Sequence, residues 1–454
     1  MITRETKVGE LLNNPIARDV LAQLVQYAGV NEKVVLNPIV KSLRLSAIPK
    51  FAGKALPDAD YVIDTMIDLF NQESNTKPPK KSNAHVWWKE AVVYQIYPRS
   101  FQDGNGDGIG DLKGIIQRLD YLKQLGVDAL WLSPIFDSPN DDNGYDVRDY
   151  RAIMTEFGTM ADAEALIREM HARGMRLILD LVVNHTSDEH EWFIDSAQNP
   201  QGEHGDYYIW RKPKNGGHPN NWHSFFSGPA WEKVDSRDEE YLHLFSKKQP
   251  DLNWDNPDVE AAMQATLRFW LDRGVDGFRM DVVHLIGKDL AQDDPAVCVE
   301  RVWGHVPFND QPITHERLRR IRGVLDEYRP ERVSVGEVYL LDEEAMAAYY
   351  GDDDELHLSF NFRFLWAQFD MAELRACIER TVGLLRARGA WPTWVLSNHD
   401  VPRHRQRYGG GELEARMAAV MLLTLPGTPF LYQGEELGLI DAEIPPERVV
   451  DPGL

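Results

Sequence analysis

The sequence predicts a (β/α)8 TIM barrel with an inserted subdomain, preceded by a small helical module. Three observations carry that expectation. Strand-like and helix-like segments alternate through eight units. The connection after the third strand is far longer than a simple loop. The texture of the chain also changes at a polar, Pro-rich run around Pro78-Pro79. In order, the β-rich runs are Val92–Tyr97, Ala129–Leu132, Arg176–Val182, Gly274–Asp281, Arg332–Val338, Leu356–Phe362, Thr393–Ser397 and Thr428–Tyr432. Helical periodicity lies between most of them, over 112–125, 161–172, 257–272, 314–328, 370–387 and 412–424. Strand–helix alternation argues for parallel strands with crossover helices, and eight such units close naturally into a barrel.

Residues 1–75 read as the helical module. A cap-type residue, Thr6, precedes an apolar run, and apolar residues recur at helical spacing at Val20, Leu21, Leu24 and Val25. They do so again at Val62, Ile63, Met66, Ile67 and Phe70. Residues 76–86 read as a linker, 87–185 and 256–454 as the barrel, and 186–255 as the insertion. The insertion is polar, aromatic and Gly/Pro-rich, with Tyr207-Tyr208-Ile209-Trp210, Trp222 to Phe226, and Tyr241 to Phe245. Insertions of this size usually carry function. No catalytic constellation precedes the linker.

Composition excludes several functional classes. With 43% hydrophobic and 27% charged residues the 454-residue chain is ordinary for a globular protein. No run of about 18 apolar residues is present to cross a membrane, and the N-terminus lacks the apolar core of a secretory signal. The net charge of −23 would repel a polyanion, which argues against nucleic acid as a partner. The two cysteines, Cys298 and Cys377, form neither a disulfide framework nor a metal spacing, so a cytoplasmic setting is expected.

The candidate chemistry sits at the strand ends. The third strand delivers Asp180 and then Asn184-His185; the fourth ends Arg279-Met280-Asp281; the fifth reaches Glu337; the seventh leads into Asn398-His399-Asp400. One Asp after a strand is ordinarily a turn or cap residue. Several converging on one barrel mouth are not, because crowded carboxylates repel. Paired carboxylates suit glycoside hydrolysis, in which one attacks the anomeric carbon and the other protonates the leaving oxygen. A retaining enzyme of this kind holds them about 5–5.5 Å apart.

These motifs resemble those of the α-amylase superfamily, and the resemblance runs from Trp87 to the end of the chain. Asp180-Leu-Val-Val-Asn184-His185, Gly277-Phe-Arg279-Met-Asp281, Gly336-Glu337-Val338 and Ser397-Asn398-His399-Asp400 match four of its motifs in order. The resemblance implies Asp281 as nucleophile, Glu337 as proton donor and Asp400 as transition-state stabiliser. It implies that Arg279 orients Asp281, that His185 and His399 bind sugar hydroxyls, and that Asp180 is structural. Gln249-Pro250-Asp251-Leu252-Asn253 is similar to the signature of the oligo-1,6-glucosidase and α-glucosidase group. Within Asn143-Gly144-Tyr145-Asp146, the resemblance implies that Asp146 grips a terminal glucose, and thus exo-action on short α-glucosides. Val282 after the nucleophile resembles enzymes that favour α-1,6 bonds. Asp103, Asn105, Asp107, the Ile109 carbonyl and Asp111 resemble a structural Ca2+ loop, with alternate oxygen donors and glycines between them.

The sequence departs from this pattern in two places. The helical module lies outside it. Only a short segment follows Gln433-Gly434-Glu435-Glu436, where relatives continue with a last barrel helix, a β-domain and an arginine partner for the Asp146 position. The chain thus reads as truncated, with apolar barrel surface left exposed. The expected activity is that of a retaining α-glucosidase acting on a small oligosaccharide. The alternatives are a sucrose isomerase or trehalose synthase sharing the covalent intermediate, or an inactive sugar-binding remnant. The sequence leaves the oligomeric state open.

Overall fold

All eight β-rich runs become parallel strands of a single sheet in the computed structural model, which describes residues 2–11, 37–52, 59–60, 63–64, 67, 86–294 and 306–445. We label them β1 (Val93–Ile96), β2 (Ala129–Leu132), β3 (Arg176–Val182), β4 (Gly277–Asp281), β5 (Val333–Gly336), β6 (Leu358–Ser359), β7 (Thr393–Val395) and β8 (Thr428–Tyr432). The hydrogen-bonded order runs β6-β5-β4-β3-β2-β1-β8-β7. The two remaining edges meet through a side chain, as the Thr393 hydroxyl donates to the Ser359 carbonyl. Eight strands therefore curl into a barrel. Inside it Val93, Trp131, Ile178, Val335, Leu358, Val395 and Phe430 pack into one buried cluster. Each such side chain, fully buried, contributes roughly 1.5–3 kcal/mol.

Among the described residues seven outer helices follow the strands: α1 (Leu112–Leu125), α2 (Met160–Ala172), α3 (Pro257–Leu271), α4 (Pro312–Leu325), α5 (Glu343–Ala348), α6 (Met371–Arg388) and α7 (Glu412–Thr424). Their starts are written locally. The Asp111 side chain accepts from the Gly114 amide at 2.6 Å to open α1, and Thr159 with Asp162 forms a capping box for α2. The expected sixth strand, 356–362, shrinks to two residues for the same kind of reason. Asn361 accepts from the Phe364 amide at 3.0 Å and starts a short helix, Phe362–Trp366, which ends the ladder. Among the described residues no helix follows β8, and α7 presents Leu413, Met417, Val420 and Leu423 to solvent.

The insertion contains a helix, Glu191–Gln198, and a small antiparallel sheet of Trp210–Arg211, Glu240–Leu242 and Trp231–Lys233. It folds back onto the end of β3. His185 bridges Asp251, and the Trp254 indole N–H donates to the Val183 carbonyl at 2.8 Å. The chain divides into two compact units, Met1–Pro79 and Lys80–Leu454. In the first, short helices Val8–Leu11, Pro38–Ser42 and Ile48–Ala52 are described, and Arg4 pairs with Asp60 at 2.6 Å and Asp64 at 2.7 Å. The expected helix around Val20–Val25 and the linker up to residue 85 lie outside the described residues.

Candidate active site

The register of three neighbouring strands assembles the acids. Asp180 on β3 is the Cα partner of Arg279 on β4, and Gly336 at the end of β5 pairs with Met280. The Glu337 amide extends that ladder by bonding the Met280 carbonyl at 2.9 Å, which sets Glu337 beside Asp281. Strand side chains alternate faces, so Arg279 and Asp281 point the same way into the barrel mouth. Close strand approach is needed here: a Cβ on Gly277 would sit 2.4 Å from the Val333 carbonyl oxygen, so only glycine fits where β4 meets β5.

Arg279 is the hub. Its guanidinium, 1% exposed, donates to Asp180 at 2.9 Å, Asp281 at 2.7 Å and Glu337 at 2.5 Å. It lies over the ring of Trp131, whose indole N–H in turn donates to Asp180 at 3.1 Å. Burial tends to strip the charge from Arg279, but Asp180 and Glu337 beside it hold it firmly protonated. One guanidinium thus bridges the Asp281 and Glu337 carboxyls, which couple to each other. Desolvation pushes the Asp281 carboxyl well above the usual range, while Arg279 draws Glu337 below it. The pair thus titrates as one unit: Arg279 stabilises one carboxylate, and desolvation favours a proton on the other.

These residues open into a cavity of about 350 Å³ lined by Asp142, Tyr145, His185, Phe226, Phe245, Arg279, Asp281, Val282, Glu337, His399 and Asp400. Asp281, Glu337, Asp400, His185, Arg279 and His399, each expected in the site, share this one cavity. His399 lies 2.6 Å from the Tyr145 hydroxyl and stacks on its ring, and its other nitrogen faces Gln95 at 2.9 Å. Asp400, half exposed, meets His399 at 3.2 Å. Desolvation lowers buried His185 to about 4, so its ring is neutral near pH 7. Its nitrogens face the amides of Asn184 at 3.2 Å and Gln249 at 3.1 Å. Val282 occupies left-handed backbone at φ 34°, strained for a β-branched residue, and its amide donates to Glu337 at 3.2 Å.

One expected site residue is not in the cavity. Asp146 is wholly buried behind it, and its carboxylate accepts from the Ser138 hydroxyl at 3.0 Å and from the Asp141 and Asp142 amides at 2.9 Å each. Asn143 at φ 51° and Gly144 at φ 97° reverse the chain, turning Tyr145 toward the pocket and Asp146 away. The acid of this loop that lines the cavity is Asp142, which takes a hydrogen bond from Gln249 at 2.7 Å. Sequence reasoning also missed Tyr145, Phe226 and Phe245 as pocket walls. The two phenylalanines lie inside the aromatic runs of the insertion, the available signal, but no spacing singled them out.

The residues of the expected Ca2+ loop form a tight turn, with Gly106 at φ 90° and Gly108 at φ 93°. Its donors are all oxygens, which suits a hard cation. The carboxylates here serve the turn itself. Asp103 accepts from the Asn105, Gly106 and Gly108 amides, Asp107 from the Ile109 amide, and Asp111 from Gly104 and Gly114. Among the described residues no three His, Cys, Asp or Glu side chains are grouped to hold a metal ion.

Comparison with known proteins agrees with this geometry. The alpha amylase catalytic domain model matches residues 95–453. An oligo-1,6-glucosidase of Parageobacillus thermoglucosidasius is 48% identical over 380 residues, covering 79% of this chain and 67% of that protein. The α-glucosyl transfer enzyme XgtA superposes with a TM-score of 0.77 at 42% identity, over 82% of this chain and 72% of its own. A mutant isomaltulose synthase of Erwinia rhapontici in complex with sucrose gives 0.73 at 41% identity, over 79% and 67%. The chain spans about two thirds of the length of the curated relatives it matches. With that domain matched across the strands that carry the acids, the chain belongs to the alpha-amylase family and holds its glycoside-hydrolase catalytic domain.

Proposed function

We propose that this chain is a retaining, exo-acting α-glucosidase that cleaves terminal α-glucosidic bonds of short oligosaccharides through a covalent glucosyl intermediate. The observation that carries the proposal is the Arg279-bridged pair of Asp281 and Glu337, one ionised and one protonated, at the floor of a single cavity. Double displacement needs Asp281 ionised and Glu337 protonated, so the proton that desolvation favours on Asp281 passes to Glu337 as the sugar enters. Asp281 attacks the anomeric carbon as Glu337 gives its proton to the leaving oxygen; Glu337 then takes a proton from the water that releases glucose. Two carboxyls held by one guanidinium favour this short-spacing mechanism over inversion, which must fit a water between widely separated acids. Asp400, lining the same cavity, stabilises positive charge as it develops. His185 and His399 hold hydroxyls, and Asp142 takes the gripping role first assigned to Asp146.

A second reading, isomerisation or transfer, is favoured by one observation: the similar solved structures include a glucosyl transfer enzyme and an isomaltulose synthase. These chemistries share the intermediate and differ in what attacks it. Incubation with isomaltose, maltose and sucrose, followed by chromatography of the products, separates them. Glucose from isomaltose supports hydrolysis; conversion of sucrose to an isomer without net glucose release supports the second reading. Structural Ca2+ at Asp103, Asn105, Asp107, Ile109 and Asp111 is part of the proposal, supported by the alternation of oxygen donors. Binding requires Asp103 and Asp111 to give up amide contacts to the ion. A cytoplasmic setting is proposed as well, supported by the free, buried thiol of Cys377.

A further inference from the structure

Lys288, on the turn after β4, is a buried cation outside the cavity. Its side chain is 3% exposed, and its ammonium meets the Asn184 side-chain oxygen at 2.8 Å, the Leu285 carbonyl at 2.7 Å and Asp251 at 3.0 Å. An ammonium has three donors and no acceptor, so this set saturates it. Burying such a pair is costly, and an apolar filling of the same volume is often at least as stable. Stability alone therefore does not account for it.

Its partners lie on three different segments, each of which neighbours or carries a pocket residue or a residue bonded to one. Asn184 lies two residues past the end of β3 and precedes His185. Asp251 lies on the return from the insertion, in the run that carries Gln249. Leu285 lies in the turn that carries Val282 and His284. With its oxygen tied to Lys288, the Asn184 amide turns its NH2 toward His185 at 3.2 Å and Asp251 at 3.1 Å. Gln249 faces the other imidazole nitrogen at 3.1 Å and holds Asp142 at 2.7 Å.

We propose that Lys288 is a positioning residue for the glucosyl pocket: by clamping Asn184, Asp251 and the β4 turn together, it fixes His185 and Gln249 at the spacing a sugar's hydroxyls require. The sugar's identity rests on the glycosidase reading; the clamp itself does not.

Lys288→Met alone leaves Asp251 buried without its counter-charge and risks the fold, so the test variant combines Lys288→Met with Asp251→Asn. The chain is labelled with 15N-histidine, its His185 resonances are assigned by their loss in His185→Gln, and 1-deoxynojirimycin binding is followed by calorimetry. The double variant is expected to fold, to shift the His185 ring resonances, and to lose roughly 10- to 100-fold in inhibitor affinity, the scale of disturbing a buried hydrogen bond. KM should rise more than kcat falls, because His185 holds the sugar in ground and transition states alike. Asp251→Asn alone keeps Lys288 on Asn184 and should stay closer to the parent than the double variant does. Unmoved His185 resonances with parental affinity, or the reverse order of the two variants, overturns the assignment. If the parent binds no 1-deoxynojirimycin, the glycosidase reading fails, and the His185 resonances alone decide the role of Lys288.

Discussion

Asp281→Asn separates chemistry from architecture. The native Asp281 carboxyl accepts from Arg279 at 2.7 Å, beside Glu337 on the same guanidinium. The substituted amide keeps that contact, since its oxygen still accepts from Arg279, and it removes the carboxyl that desolvation raises. Arg279 also keeps Asp180 at 2.9 Å and Glu337 at 2.5 Å, so no buried charge loses its partner. Breaking a buried pair costs about 3–5 kcal/mol, and that cost is avoided here. Relief of carboxyl crowding offsets the weaker amide bond, so unfolding free energy should stay within about 1 kcal/mol of the parent, or rise. Turnover should nevertheless collapse by roughly 10⁴–10⁶-fold, the scale of losing a nucleophile. Steady-state hydrolysis of p-nitrophenyl α-glucoside, read beside urea unfolding of the same preparations, measures both. Turnover within tenfold of the parent removes Asp281 from the nucleophile role. A large loss of stability refutes the hydrogen-bond pattern described for the pair.

Asp142→Asn should raise KM with little change in unfolding, whereas Asp146→Asn should lower stability by about 1–3 kcal/mol because its buried carboxylate organises the loop before Asp142; the opposite pattern in kinetics and melting restores Asp146 to the pocket. Val282→Thr should move the ratio of isomaltose to maltose hydrolysis toward maltose by about 10–200-fold, the scale of one methylene-sized pocket change, and an unaltered ratio removes Val282 from linkage choice. His185 and His284 are buried neutral, each lowered to about 4 by desolvation. Their contribution is full above the unfolded value near 6.5 and is lost as pH falls from there to about 4, worth up to about 3 kcal/mol each. His185→Gln should therefore flatten the pH dependence of urea unfolding between pH 7 and 4, and an unchanged slope rejects that assignment. If the loop at Asp103 takes Ca2+, adding the ion after chelation should raise the melting temperature in proportion to the logarithm of its concentration; no shift at millimolar Ca2+ rejects the site.

The barrel was legible because its strands are apolar runs separated by helical periodicity, and the polar residue after each run falls at the mouth by geometry. Asp281, Glu337 and Asp400 could be read in that way. The role of Asp146 could not. Asp141, Asp142 and Asp146 are chemically alike in sequence, and which one lines the cavity follows the backbone reversal at Asn143 and Gly144. The sixth strand was overextended for a related reason: Leu356–Phe362 alternates well enough for a strand, but Asn361 captures the Phe364 amide and begins a helix. Phe226 and Phe245 belong to the insertion, where long-range folding rather than periodicity selects the wall. Lys288 carries no sequence signal, since a lysine in a turn is ordinarily solvated and only the fold buries it between Asn184 and Asp251.

Proton NMR during the first moments of isomaltose hydrolysis reads the stereochemistry of the double displacement assigned to Asp281 and Glu337. α-Glucose released from the non-reducing end before mutarotation is the expected signal. β-Glucose as the first-formed sugar would mean that water attacks directly, and that the two carboxyls do not work as nucleophile and acid.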